Sequence, residues 1–193
     1  PKQFRCLEGI PLWRWSLSAA RTLREEGVLE DAVLVVPPET GSDSSGPSWE
    51  DLTASVASLI PLPVRLARGG AARVDSVIAG LRAVRGNRVL VHDAARPFLS
   101  PKLCRRLMAA SGSDGGAVPL LSCPDALKEV DPRTGEVVGP ADLSTLRRTQ
   151  TPQAFPRLPL LELLEGRGEE VLDEAQVWLE AGRSLASVEG APR

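Results

Sequence analysis

The 193-residue chain is poor in the side chains from which many sites are built. It has one histidine, His92, so a multi-histidine metal centre has no ligands to draw on. Any Ser-His-Asp hydrolase would have to use that one imidazole, and no nucleophile elbow accompanies it. Its three cysteines, Cys6, Cys104 and Cys123, are odd in number and widely spaced, which excludes a disulfide framework and a paired CxxC zinc site. No apolar run reaches the ~18 residues of a membrane-spanning helix, and no signal-peptide pattern is present. A soluble, reducing, cytoplasmic setting without membrane contact is therefore expected. Net charge is only -2, so no overall basic field calls for nucleic acid. Lysine is scarce too: Lys2, Lys102 and Lys128 stand against 20 arginines among 23 basic residues. The sequence opens on Pro1 rather than Met, which leads us to expect further residues before it.

What is present alternates between two periods. Leu12 to Glu25 has apolar residues at helical spacing, with Leu12, Trp15, Leu17, Ala19, Ala20 and Leu23 on the expected face. That reading makes Trp15 core and Trp13 edge packing. Ala32 to Val36 is a continuous β-branched run stopped by Pro37-Pro38, as in a strand buried on both faces. Val64 to Ala67, Val89 to His92, Ala117 to Leu121 and Ser184 to Val188 predict further strands. Helices are predicted over 74–84, 101–110, 158–164 and 172–181, and Gly41 to Pro47 as a flexible surface loop. Short alternation of this kind predicts a single α/β domain over 1–193, with a mostly parallel sheet and crossover helices. Residues 125–148 break the rhythm: two strand-like pieces flank the turn Asp131-Pro132-Arg133-Thr134-Gly135. A hairpin with so little apolar content of its own needs a partner surface, and a second copy of the chain is the economical one. Cys104 and Cys123 read as small buried hydrophobes.

Four segments carry candidate chemistry. In Arg68 to Gly80 (RGGAARVDSVIAG), a glycine pair follows a strand, and Arg73, Asp75 and Ser76 open a helix. Glycines allow close approach of backbone to ligand, and a helix N-terminus favours anionic atoms; a plain strand-to-helix turn explains the same residues. In Val89 to Pro101 (VLVHDAARPFLSP), Asp93 falls just past a strand end, where open α/β sheets place their ligands. Arg96 follows three residues later and can fork onto phosphate, or simply pair with Asp93 at the surface. His92 reads as a satisfied strand-end residue rather than a general base. Thr149 to Phe155 (TQTPQAF) has no period, and is either an ordinary or a ligand-facing loop. Lys2, in PKQF, is either solvated surface or a compact charge for a phosphate oxygen.

PKQF, GGAARVDSV, HDAARPF and TQTPQAF, in that order and over essentially the whole chain, resemble the 2-C-methyl-D-erythritol 4-phosphate cytidylyltransferase family. The resemblance implies a Rossmann-like nucleotidyltransferase fold that dimerises through a protruding β-arm, here residues 125–148. It implies transfer of CMP from CTP to methylerythritol phosphate with release of pyrophosphate, and Mg²⁺ held mainly by the CTP phosphates. By position, Lys2 and Arg96 would be the catalytic cations. Gly70, Arg73, Ser76 and Ala94 would bind the nucleotide, and Asp93, Arg96 and Thr151 the acceptor. No residue is matched to a metal. The family's glycine-rich loop before PKQ and its lysine after Val188-Glu189-Gly190 have no counterpart in these 193 residues, and both are expected outside them. Within them, Ala71 replaces an acidic residue, Ala126 a threonine and Leu143 an arginine. The last two fall at the acceptor end, where Arg147 or Arg148 could substitute. They leave open another acceptor, such as ribitol 5-phosphate, or a nucleotide-binding relative without turnover.

Overall fold

The computed structural model describes residues 2–38, 47–59, 61–167 and 171–191. Residues 41–46 of the expected surface loop lie outside them. A 3-10 turn, Lys2–Phe4, leads into two short strands, β1 (Cys6–Leu7) and β2 (Ile10–Pro11), and helix α1 (Leu12–Glu25). There follow β3 (Ala32–Val36), α2 (Trp49–Ala57), β4 (Val64–Arg68), α3 (Arg73–Ala83), β5 (Arg88–Val91) and α4 (Pro101–Ala110). Then come β6 (Gly116–Ser122), β7 (Lys128–Val130), β8 (Val137–Pro140), β9 (Arg147–Thr149) and β10 (Gln153–Pro156). Helices α5 (Arg157–Leu164) and α6 (Glu174–Glu180) and strand β11 (Leu185–Glu189) complete the order.

Two ladders form the α/β layer. β3 and β4 pair in parallel, and β11, β6, β10 and β5 form a second sheet in that order, with β9 also on β6. β11 runs parallel to β6, but β10 runs against both β5 and β6, so the sheet is mixed. That reversal comes from the TQTPQAF segment. Thr149 and Gln153 to Pro156 belong to strands, separated by a bend with a cis Thr151-Pro152 peptide. A strand running against its neighbours begins where they end. Thr151 is thereby delivered to the carboxyl end of β5, beside Asp93.

The helices cover the sheets as amphipathic faces require. One core cluster joins Val74 and Leu81 of α3 to Val89, Val118, Phe155, Leu160 and Trp178, with the Phe155 and Trp178 rings 5.2 Å apart. A second joins α1 to β3 and α2 through Trp13, Leu17, Ala20, Leu34, Val36, Leu52 and Val56. Here the expected helix face is corrected. Trp13 is the buried ring, while Trp15 is half-buried and its indole donates to the Leu7 carbonyl at 3.4 Å. The row Trp13, Leu17, Ala20, Leu23 satisfies the helical period as well as the expected one does, and docking on β3 selects it. Cys104 is fully buried, but Cys123 is only half-buried and faces the Asp125 carbonyl.

Between β6 and β9 the chain leaves the domain as an arm. The stem pairs Leu120 with Thr149, Leu121 with Arg148 and Ser122 with Arg147, and beyond it β7 and β8 form an antiparallel hairpin. Val130, Val137 and Val138 on that hairpin are exposed. Among the described residues, no helix is long and apolar enough to cross a membrane.

Candidate active site

The site is built where β3 ends and α3 begins. Gly69 N–H donates to the Val36 carbonyl at 2.7 Å, bringing the glycine pair against the end of β3. A Cβ on Gly69 would lie 2.5 Å from Ser76 Oγ, and one on Gly70 would lie 2.3 Å from Asp75 Cβ. Neither position has room for a side chain. Asp75 reaches back to the Ala72 N–H at 3.1 Å and fastens the first turn of α3. The result is a cleft of about 270 Å³ between Val36, Pro37 and Pro38 on one side and Gly70, Arg73 and Ser76 on the other. Gly70, Arg73 and Ser76 thus share one cavity, at a helix N-terminus suited to polar or anionic atoms.

The loop after β5 lies beside it. Arg96 Nε pairs with Asp93 Oδ2 at 3.0 Å, and Asp93 Oδ1 lies 3.9 Å from Arg73. The Asp93 backbone N–H points to Thr151 Oγ1 at 3.4 Å. Asp93, Arg96 and Thr151, which the sequence reading groups, are therefore brought together. Ala94 packs against the second core cluster, as does Phe4, so the PKQF segment and the strand-end loop rest on one apolar base. Lys2 is exposed on its 3-10 turn.

His92 is a structural element of this loop. Its Nε2 donates to the Arg96 carbonyl at 2.9 Å, and the Ser16 hydroxyl donates to the same oxygen at 3.1 Å. Burial holds the imidazole below its ordinary value, although the Arg96 carbonyl and the Asp93 charge work the other way. A neutral imidazole that spends its proton on a backbone carbonyl is not placed as a general base.

Glu174 belongs to none of the four segments that carry candidate chemistry. This carboxylate is 1% exposed, at the start of α6, and both its oxygens meet Arg73, at 2.7 and 3.0 Å. Burial opposes the Arg73 charge, but the Glu174 hydrogen bond and charge, with Asp93 and Asp173 nearby, more than offset it and raise the guanidinium above its ordinary value. Asp173 caps α6 through the Gln176 N–H at 2.9 Å and accepts from the buried Gln153 amide at 3.1 Å. An Asp-Glu pair opening a helix is a cap signal in any sequence; its reach to Arg73, 101 positions away, is not. Among the described residues no three His, Cys, Asp or Glu side chains converge as metal ligands.

The family model for 2-C-methyl-D-erythritol 4-phosphate cytidylyltransferase, IspD, matches residues 1–193. A bifunctional enzyme IspD/IspF of Rhizorhabdus wittichii is 46% identical over 149 residues, covering 75% of this chain and 37% of that protein. One from an Anaeromyxobacter species is 39% identical over 180 residues, covering 90% of this chain and 44% of its own. The chain thus spans less than half the length of either relative. The crystal structure of 2-C-methyl-D-erythritol 4-phosphate cytidylyltransferase from Thermus thermophilus superposes with a TM-score of 0.76 at 31% identity, covering 99% of this chain and 84% of that one. A 4-diphosphocytidyl-2C-methyl-D-erythritol synthase structure from Anaerococcus prevotii gives 0.82 at 21% identity, over 98% and 84%, a likeness of fold.

Proposed function

The chain belongs to the 2-C-methyl-D-erythritol 4-phosphate cytidylyltransferase family, and on that premise we propose that it transfers CMP from CTP to 2-C-methyl-D-erythritol 4-phosphate. The observation that carries this reading is the meeting of the Gly70, Arg73 and Ser76 cleft with the Asp93, Arg96 and Thr151 cluster. Gly70, Arg73, Ser76 and Ala94 border the nucleotide. Asp93 accepts from acceptor hydroxyls, while Arg96 and Thr151 take its phosphate.

In the reaction an acceptor phosphate oxygen attacks the α-phosphorus of CTP, the bond to the β-phosphate oxygen breaks, and pyrophosphate leaves. No proton transfer is obligatory, so the demand is alignment and neutralisation of charge on the phosphate oxygens. Lys2 and Arg96 supply the cations, which suits a chain with one histidine in a structural role. Mg²⁺ would be held mainly by the CTP phosphates, where it would offset their charge. The exposed valines of the 125–148 arm suit a homodimer in which the arm covers a second copy. All substrates are water-soluble, and we place the reaction in the cytoplasm as a single domain over 1–193.

Ala126 and Leu143, both on the arm, favour a second acceptor reading, a polyol phosphate such as ribitol 5-phosphate. The full-length protein, with any residues that precede Pro1 or follow Arg193, mixed with Mg²⁺, CTP and each polyol phosphate decides by pyrophosphate release. Preference for methylerythritol phosphate is expected. Preference for ribitol phosphate overturns the acceptor, and CTP binding without release from any acceptor overturns the enzyme.

A further inference from the structure

Glu174 lies in the interior, where an ionised carboxylate is costly unless paired. Its partner is a guanidinium fork, the geometry in which such a pair is strongest. Arg73 has a second acid within reach, since Asp93 Oδ1 is 3.9 Å from it. Two carboxylates therefore compete for one guanidinium. The distances give the outcome: 2.7 and 3.0 Å to Glu174 are made bonds, and 3.9 Å to Asp93 is not. Asp93 keeps one oxygen on Arg96 at 3.0 Å and has the other on the Arg73 side, 37% exposed as a side chain.

The consequence concerns availability. An arginine drawn onto Oδ1 as well would take up acceptor sites on that oxygen and crowd a ligand hydroxyl away from it. A carboxylate that faces a single arginine retains sites for a ligand. We propose that Glu174 is a positioning residue: by holding Arg73 in a bidentate pair, it keeps Asp93 Oδ1 open for the hydroxyls of a polyol phosphate acceptor. The identity of the acceptor rests on the reading above; the competition between the two carboxylates does not. The α6 capping network gives the device its rigidity. Gln153 ties the Asp173 carboxylate and the Ala175 N–H, at 3.1 Å each, to the start of β10. Glu174 between them cannot follow Arg73 if the guanidinium swings away.

The test is Glu174→Gln in the full chain, with Arg73→Gln/Glu174→Gln as the second variant. Glu174→Gln keeps the side-chain volume and removes the charge that retains Arg73. Its KM for the polyol phosphate, read at saturating CTP, is expected to rise about tenfold with kcat within about threefold of the parent, while KM for CTP rises as well because Arg73 borders the nucleotide. In the double variant Arg96 alone faces Asp93 and Oδ1 is left open, so acceptor KM at saturating CTP should return to within about threefold of the parent. A merely structural role would lower the thermal midpoint of the single variant without raising acceptor KM. Unchanged acceptor KM in the single variant, or an equal rise in the double one, overturns the proposal. If the parent chain releases pyrophosphate with no acceptor, the functional reading fails, and a crystal structure of Glu174→Gln decides the rest. Arg73 moved to within about 3 Å of Asp93 Oδ1 supports the competition, and a separation kept near the parent's overturns it.

Discussion

Ser16 and Arg96 stand 80 positions apart in sequence, yet the hydroxyl of the first donates to the backbone carbonyl of the second at 3.1 Å. The contact fastens α1 to the strand-end loop, and the His92 imidazole secures the same oxygen from within that loop. Ser16→Ala should leave the fold intact at a cost of about 1 kcal/mol in denaturant unfolding. It should also raise the acceptor KM more than the CTP KM, because the Arg96 guanidinium loses one of its two backbone anchors. Steady-state kinetics with each substrate varied in turn checks this.

Lys2 and Arg96 are expected to act on charge rather than on folding. Lys2→Ala and Arg96→Ala should each lower kcat by about 100-fold or more. Thermal midpoints should stay close to the parent, since Lys2 is exposed and Arg96 makes only a partly exposed pair with Asp93. Near-normal turnover in either variant would remove that residue from the mechanism.

Gly70→Ala confronts the nucleotide cleft directly. Its Cβ would stand 2.3 Å from Asp75 Cβ, so the first turn of α3 must shift. A stability loss of about 1–3 kcal/mol is expected, with loss of CTP binding by calorimetry. Retained CTP affinity would place the nucleotide elsewhere.

Acid should weaken the loop through His92. Its folded-state value lies below the ordinary one, so the unfolded chain takes up the proton first as pH falls. The stabilisation is complete above about pH 6.5 and declines as pH drops toward the lower folded value, by at most about 1.4 kcal/mol per pH unit. His92→Gln keeps a donor and removes the titration. Its unfolding free energy should fall less steeply between pH 7.5 and 5.5, and equal slopes would show that the carboxylates carry the whole dependence.

Alkylation should separate the cysteines. Burial pushes the Cys104 thiol up to about 12, whereas Cys6 is exposed. Iodoacetamide at pH 8 is expected to modify Cys6 and spare Cys104 until the chain unfolds, as read by peptide mass spectrometry.

These expectations draw on features that the sequence discloses to different depths. Strands such as Ala32–Val36 are legible because a β-branched run ended by two prolines has few other uses. The glycine pair, Asp93 and Arg96 are legible by their place next to strand ends. TQTPQAF is not, because half of it forms a short strand buried on all sides, and such a strand shows no alternation. Trp13 and Trp15 lie on two faces of α1 that both satisfy the helical period, and only the docking of that helix on β3 separates them. Glu174 escapes because its partner is distant in the chain, and no local spacing encodes a pair that long-range packing creates.

The stem between β6 and β9 has an evolutionary consequence. Residues 123–146 leave and rejoin the domain at one pair of strands, so this excursion can lengthen, shorten or change its sequence without moving Thr151. A segment attached in this way behaves as an interchangeable cassette. On the proposed reading, Ala126 and Leu143 lie within it, so exchanging the excursion alone would alter the acceptor end while leaving the Gly70, Arg73 and Ser76 cleft in place.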